Sequence, residues 1–492
     1  MSDDALFPGL DDWDPNPLRK CLRKGGFHRS ALEALGMPER WLRSDIARAA
    51  LLGRVPPGSP LEVLLRLFTL GDAIDGACAL RVLGDASHGL LALGFLAVGG
   101  GTVRSIYQLT PMGDGWIACD FRERQRRDAA DYVMGLGPSS ILLASLTPLH
   151  KRGRALELAS GIGWLSGQLA QGGMAVVATD LNARALSLGR FTARLAGTVG
   201  IEFRHGDGFA CVSGERFDLI VANPPYVQSP GGAMLYKEAP VGDPICARLL
   251  RDLPEHLAPG GIAVVLLNWS HQTDDDWSDG PLAWIPATGT RRWLFRSDCS
   301  APADYAWKWI AGDLRFAAEA AAVAEMHRWL AHYQSCGVTR VSGGFVIVQQ
   351  CAPGDEWTRR ESRAAEHITA AAGGEVLRVL QNQTWLATAP DLLETRFDVP
   401  EGVRAEASLV LGDNGWAQET IRLTSPARLS YDGQIDANIL RLLAVAREGK
   451  APSALVAEIS SSPGFSAVPD LPQRITALVH ELVHHGMLVP AT

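Results

Sequence analysis

The sequence predicts an α/β fold: a mostly parallel sheet covered on both faces by helices, with an accessory segment at either end. Three observations predict it. Between about residues 129 and 352, short apolar runs alternate with helical patterns, as strands buried on both faces require. The first run, Ala155-Leu156-Glu157-Leu158, passes into the glycine-bearing turn Ala159-Ser160-Gly161-Ile162-Gly163. The fourth, ending Ile220-Val221-Ala222, passes into Asn223-Pro224-Pro225-Tyr226.

Length and composition frame this core. At 492 residues the chain is too long for one ordinary core, so two or three domains are expected. With 47% hydrophobic and 20% charged residues it reads as a soluble globular protein. A net charge of −8 gives no general attraction for a nucleic-acid backbone and leaves room only for a local basic patch. Eight cysteines (21, 78, 119, 211, 246, 299, 336 and 351) are scattered without a CxxC pair, which suits reduced thiols in a cytoplasm. The start, Met1-Ser2-Asp3-Asp4, has no leader pattern. The longest smooth apolar run, residues 89–100, is too short and glycine-rich to span a bilayer.

Taken in order, residues 1–30 read as an irregular arm with some helix. Residues 31–71 carry helical patterns broken near Pro56-Pro57-Gly58, and residues 61–70 are amphipathic. After a helix end at residues 90–96, Gly99-Gly100-Gly101 turns the chain into an alternating strand at 103–109, with 116–119 as its partner. Helices followed by a glycine turn and a hairpin resemble a winged-helix module and equally fit a helical cap with one hairpin. The charge run 122–128 reads as a solvated helix or linker. It divides an N-terminal segment (1–128) from the α/β segment (129–352). The strands of the latter fall at 155–158, 175–180, 201–204, 217–221 and 262–267, with later ones at 293–296 and 345–349 and a helix at 317–330. The third segment, 353–492, reads as α+β: a helix at 361–372, short strands at 376–379, 385–388 and 407–410, then helices at 435–446, 453–459 and 475–485. Its ending is a second winged-helix candidate.

The chemistry-bearing residues sit at the ends of the strands. Glycines in the 159–163 turn let a ligand approach the backbone, and the following helix N-terminus is positive. Asp180, ending the second strand about twenty residues on, suits two ribose hydroxyls and could equally cap a helix. Gly206-Asp207-Gly208-Phe209 ends the third unit, where Asp207 could accept from an adenine amino group while Phe209 packs nearby. Two prolines stiffen the Asn223 turn and remove two N–H donors. It can present oxygen acceptors to a flat N–H-bearing group, with Tyr226 able to cover its face. The order and spacing of these pieces carry more than any one of them.

On these residues, 155–270 resembles the class I methyltransferases that use S-adenosylmethionine. Asn223-Pro224-Pro225-Tyr226 is similar to the signature of enzymes that methylate planar nitrogens, among them the release-factor glutamine methyltransferases and adenine-N6 methyltransferases. The resemblance extends over Tyr236-Lys237, Gly242-Asp243-Pro244 and residues 257–261. It implies a Rossmann-like domain with a seven-stranded, mostly parallel sheet and S-adenosylmethionine as cofactor. Gly161 and Gly163 would face the methionine part, Asp180 would hold the ribose and Asp207 the adenine, with Glu157, Ala159, Leu181, Gly208 and Phe209 also among the cofactor-binding residues. Asn223, the Pro224 carbonyl and Tyr226 would act on the acceptor nitrogen, with Asn223 also near the cofactor. Pro225, Tyr226, Tyr236, Asp243 and Trp269 would line the acceptor side, although Trp269 could equally be core. Two departures stand out: Ala159 replaces the family's glycine, and Glu157 its commoner aspartate.

Three functions compete. The favoured one is N-methylation of an amide, amine or guanidine nitrogen in a protein or small molecule. The second is adenine-N6 methylation of RNA or DNA, which the charge does not favour. The third is a non-catalytic binding protein on the same scaffold. His480-Glu481-Leu482-Val483-His484 fits the HExxH pattern, but only eight residues follow His484 and a catalytic zinc takes three protein ligands. No metal is expected, and the stretch reads as an amphipathic helix.

Overall fold

Strands that are apolar on both faces need helices on both sides, and the chain supplies them. A computed structural model describes residues 6–36, 45–127, 130–149, 152–231, 234–242, 244–369, 372–412, 415–461 and 470–491. The acidic start, the expected boundary at 128–129 and Asp243 lie outside the described residues. The chain divides into two units. One is Met1–Ser140 with Arg152–Ile285 and Cys299–Gly343; the other is Ile141–Lys151 with Pro286–Asp298 and Gly344–Thr492.

In the first unit, strands β1 (Arg154–Leu158), β2 (Ala175–Asp180), β3 (Ile201–His205), β4 (Phe217–Ala222) and β5 (Leu257–His271) lie in the order β5-β4-β1-β2-β3. All four pairings are parallel. Helix α1 (Trp164–Gln171) joins β1 to β2, and α2 (Ala183–Ala196) joins β2 to β3. The chain steps outward from β1 to β3, then returns to lay β4 on the other side of β1. That reversal opens a crevice at the carboxyl ends of β1 and β4, where α/β sheets bind ligands. Register makes it specific: Leu158 pairs with Thr179 on one side and Ala222 on the other. Three further strands, Thr290–Ser300, Arg340–Gln350 and Thr358–Ser362, lie largely in the second unit, so eight strands stand where seven were expected. The additional one, Thr358–Ser362, overlaps a stretch expected to be helical.

The N-terminal segment shares a core with α2. Phe191 of α2 lies 4.6 Å from the ring of Phe95, 5.0 Å from Trp13 and 5.1 Å from Phe7. Arg19 donates to the carbonyls of Leu195 (2.7 Å) and Arg194 (2.8 Å), satisfying acceptors that the end of α2 leaves open. The strand expected at 103–109 is split: Thr102–Ser105 pairs with Leu96–Gly99, and Tyr107–Met112 forms the hairpin with Gly115–Asp120. The charge run is not simply solvated: Arg122–Arg127 is a 3-10 helix and its Gln125 is buried.

In the second unit, residues 376–379 and 385, expected as strands, belong to one helix, Ala372–Leu386. Val376, Val379, Leu380 and Gln383 are buried at helical spacing, and that periodicity outweighs the strand propensity of the valines. Buried Glu375 accepts from Ser425 Oγ, Ala427 N and Ser430 N, which ties this helix to the turn between the strands Gly415–Thr424 and Asp432–Ile435 of an antiparallel sheet. Helices Ala437–Arg447, Ser453–Ser461 and Leu471–His484 pack around a separate apolar cluster. Among the described residues no helix is long and apolar enough to cross a membrane.

Phe191→Ala should cost about 3–5 kcal/mol, because one ring serves the N-terminal segment and α2 together. Urea unfolding of the purified chain should show that loss in the transition of the first unit.

Candidate functional site

The turn after β1 is left-handed at three positions, Ala159 (φ 52°), Gly161 (φ 53°) and Gly163 (φ 63°). Ala159 takes a conformation that costs a residue with a Cβ about 1–2 kcal/mol, which explains why a glycine there would be easier. A Cβ on Gly163 would come within 2.9 Å of the Phe203 ring, so that glycine is required by packing as well. A Cβ on Gly161 would meet nothing within 4 Å, so the turn is open on that side. Ser160 N donates to Thr179 O and Gly163 N to Ser160 O, each at 2.9 Å. The Ser160 hydroxyl is buried and has no partner in the protein. An open backbone face beside an unpaired hydroxyl fits a polar ligand lying along this turn.

Asp180 reaches across from β2. Its Oδ2 accepts from Gly161 N at 2.7 Å and its Oδ1 from Asn182 N at 2.8 Å. Burial pushes its carboxyl upward against the pull of these N–H groups. The helix cap is Asn182, whose Oδ1 accepts from Arg184 N at 3.1 Å, so Asp180 is not needed for that task. Each Asp180 oxygen keeps a second lone pair for a hydroxyl. Leu181 is 51% exposed beside it, an apolar surface of the kind a flat base covers. Asp207 is half-exposed and paired with Arg248 at 2.6 Å. Gly208 follows it with φ 55°. Phe209 stacks on His256 with centroids 4.2 Å apart and is buried, so it supports this loop from within and does not face a ligand.

Glu157 is buried and turned toward α1, accepting from Ser166 N at 2.7 Å and from the Ser166 hydroxyl. Its place is at the positive end of that helix. Burial pushes its carboxyl up to about 7 despite these bonds.

β4 delivers Asn223, which is half-buried between buried Ala222 and Pro224. Its Nδ2 donates to Ser139 Oγ at 3.1 Å and Ser140 Oγ at 3.3 Å, which leaves the side-chain oxygen as the outward acceptor. These serines were missed in the sequence. The signal was Gly137-Pro138-Ser139-Ser140, a helix start with proline at its first position and two hydroxyls in its first turn. Pro225 and Tyr226 are half-buried, and Tyr226 packs against the cluster holding Tyr305 and Trp329.

The described residues that follow Tyr226 are firmly held. Strands Val227–Ser229 and Glu238–Pro240 pair in parallel. Gln228 is fully buried: its N–H donates to Tyr305 Oη at 3.2 Å, its carbonyl accepts from Tyr333 Oη at 2.5 Å, and its Nε2 donates to Asn268 O at 3.0 Å. Lys237 is bonded to Asp313 at 2.6 Å. Against the upward pull of burial, Arg315 and Lys237 hold the Asp313 carboxyl down to about 2. Tyr236 is half-buried and accepts from Gln125 Nε2 at 3.1 Å. Trp269, expected as a candidate pocket wall, is 1% exposed and donates its indole N–H to Trp277 O; it is core.

The HExxH stretch forms no metal centre. His484 Nδ1 lies 2.9 Å from Gln383 Nε2, and burial lowers the ring's pKa to about 3. His485 turns to Ser430 O and Arg359. Among the described residues no group of three or more His, Cys, Asp or Glu side chains could hold a metal.

Glu157 yields a pH test. The folded carboxyl keeps its proton to about 7, whereas the unfolded one releases it near 4.5. The stability this supplies is complete below 4.5 and lost as pH rises through 7. Relative to Glu157→Gln, the wild type should therefore lose roughly 3 kcal/mol between those values, read by urea unfolding across the pH series.

Comparison with known proteins agrees with this geometry. Residues 135–275 match the family described as the methyltransferase small domain, and residues 378–490 match a domain of unknown function, DUF7782. The ribosomal protein uL3 glutamine methyltransferase of Bradyrhizobium diazoefficiens is 32% identical over 166 residues, covering 30% of this chain and 51% of that protein. The release factor glutamine methyltransferase of Koribacter versatilis is 30% identical over 155 residues, covering 27% of this chain and 55% of that protein. The ribosomal RNA small subunit methyltransferase C of Chromohalobacter salexigens is 37% identical over 115 residues, covering 23% and 31%. The chain thus spans about half the length of the first two relatives and about a third of the last. Residues 135–275 thus match the methyltransferase small domain family, and the chain is similar over part of its length to two glutamine methyltransferases.

Proposed function

We propose that the chain is an S-adenosylmethionine-dependent N-methyltransferase acting on a planar nitrogen, with a protein side-chain amide as the favoured acceptor. The observation that carries this is Asn223, whose amide nitrogen is held by two serine hydroxyls so that its oxygen faces outward as an acceptor. The likeness to two glutamine methyltransferases supports an amide in a protein, and the net charge of −8 points the same way. The rRNA methyltransferase relative favours a base in RNA as the second reading. A cytoplasmic setting suits either acceptor.

The residues fit the cofactor. The open turn at Gly161, the unpaired Ser160 hydroxyl, the Asp180 carboxylate and exposed Leu181 would hold it, with Asp207 near its base. When bound, S-adenosylmethionine supplies an electrophilic methyl group on a sulfonium. The chain's own work lies on the acceptor. An amide nitrogen is a poor nucleophile because its lone pair is delocalised. Acceptors at Asn223 Oδ1 and the Pro224 carbonyl, aimed at its hydrogens, favour an electron-rich nitrogen and stabilise the positive charge that develops. Pro224 and Pro225 keep those acceptors fixed, so little reorganisation accompanies transfer.

Asn223→Ala should cut methyl transfer at least about 100-fold while leaving cofactor affinity unchanged. Asp180→Ala should weaken calorimetric binding of S-adenosylmethionine by about tenfold or more. The assay is transfer of labelled methyl from the cofactor to cell extract, separated into protein, nucleic acid and small molecules. Label in nucleic acid alone would establish the second reading, and full activity of Asn223→Ala would overturn the role of the turn.

A further inference from the structure

Tyr236 belongs to the loop after the Asn223 turn, yet Gln125, Ala130 and Tyr132, at the junction of the N-terminal and α/β segments, hold it and its neighbour. Gln125 Nε2 donates to its hydroxyl at 3.1 Å. Tyr132, 4% exposed, meets its ring edge-on with centroids 5.4 Å apart. Next to it, Leu235 N donates to Ala130 O at 3.3 Å. The same stretch reaches the cofactor side of the site, where Asp131 O accepts from Asn182 Nδ2 at 2.9 Å, two residues beyond Asp180.

This stretch is anchored at both ends. Asp120 is buried, accepts from Val133 N at 2.9 Å and is paired with Arg184 of α2. Arg124 Nη2 donates to both oxygens of Asp131, at 2.8 and 2.9 Å, and Arg122 donates to Gly312 O. The charges beside Tyr236 are paired elsewhere, Lys237 with Asp313 and Glu238 with Arg315. Lys237 Nζ also lies 5.7 Å from the Tyr236 ring centroid, so one amide, one aromatic edge and this cation together set the ring. Gln125 also buries its Oε1 without a partner in the protein, which is unfavourable. An apolar residue would avoid that cost but could not hold the tyrosine hydroxyl.

We infer that Gln125 and Tyr132 are positioning residues for acceptor recognition: through Tyr236 they fix the acceptor side of the site, so the junction of the N-terminal and α/β segments sets which substrate is accepted. The inference rests on the methyl-transfer reading above. The Gln125–Tyr236 bond fixes where the hydroxyl end of the ring sits, and the Tyr132 edge restricts the ring's rotation. The tie to Asn182 gives this loop and the cofactor loop a common frame.

The test is a double-mutant cycle on Gln125→Ala and Tyr236→Phe, using the protein fraction of cell extract as acceptor and labelled S-adenosylmethionine. Each single variant should raise the extract concentration for half-maximal rate about tenfold, with little change in maximal rate or in calorimetric cofactor affinity. The double variant should be no worse than the poorer single one. Additive effects, an unchanged half-saturation, or an equal loss of cofactor affinity would overturn the inference. A second measurement needs no activity: amide hydrogen exchange at Leu235 and Val227 should quicken in Gln125→Ala and in Tyr132→Ala while that of β1 and β4 stays slow. Unchanged exchange at Leu235 would overturn the inference by itself. A wild-type chain that labels no fraction would instead refute the methyl-transfer reading.

Discussion

Parallel pairing is the constraint on which the site depends. Strands that run the same way end on the same edge, so each loop that follows one opens there. The in-register pairs Leu158–Thr179, Leu158–Ala222 and Asp180–His205 then fix which loop ends are neighbours. A turn at 159–163, a carboxylate at 180 and an amide at 223 are far apart in sequence and adjacent on that edge. A slip of one residue in β4 would turn its side chains to the opposite face.

Stiffness at this edge comes from several sources. The turn after β1 stores strain at Ala159, which persists because Ser160 and Gly163 are tied to the backbone around it. The turn after β4 is held by its prolines on one side and by the Gln228 network on the other. Tyr305, Tyr333 and Asn268 satisfy most of the polar atoms that Gln228 buries. Burial of Glu157 beside the first turn of α1 completes the support. The acceptor loop, by contrast, takes its order from ion pairs with Asp313 and Arg315 and from the N-terminal segment.

Much of the fold was legible because its signals are local. The five strands of the first unit are apolar runs, and their glycine and proline punctuation is strong. The helix Ala372–Leu386 was not legible as a helix, because its valines favour strands and only packing revealed the i, i+3, i+4, i+7 face. Trp269 and Phe209 could be placed near the site from sequence, but not oriented. Each is turned inward by a partner, Trp277 and His256, that no spacing rule connects to it. The charge run at 122–127 looked solvated because the sequence does not show that Gln125 is covered by Tyr236, 111 residues away.

The sequence by itself determined the order of strands and helices from β1 to β5, the open turn, the acid at 180 and the stiff amide turn at 223. These depend on residue type and near-neighbour spacing, which the chain carries directly. Only the tertiary structure decided which way the side chains face. Ser139 and Ser140 orient Asn223, Asn182 takes the cap and leaves Asp180 facing the turn, and Gln125 and Tyr132 hold Tyr236. Those are contacts between residues tens to more than a hundred positions apart, or choices between neighbours equally able to make them. Such contacts exist only after the sheet has closed and burial has made most polar atoms find a partner.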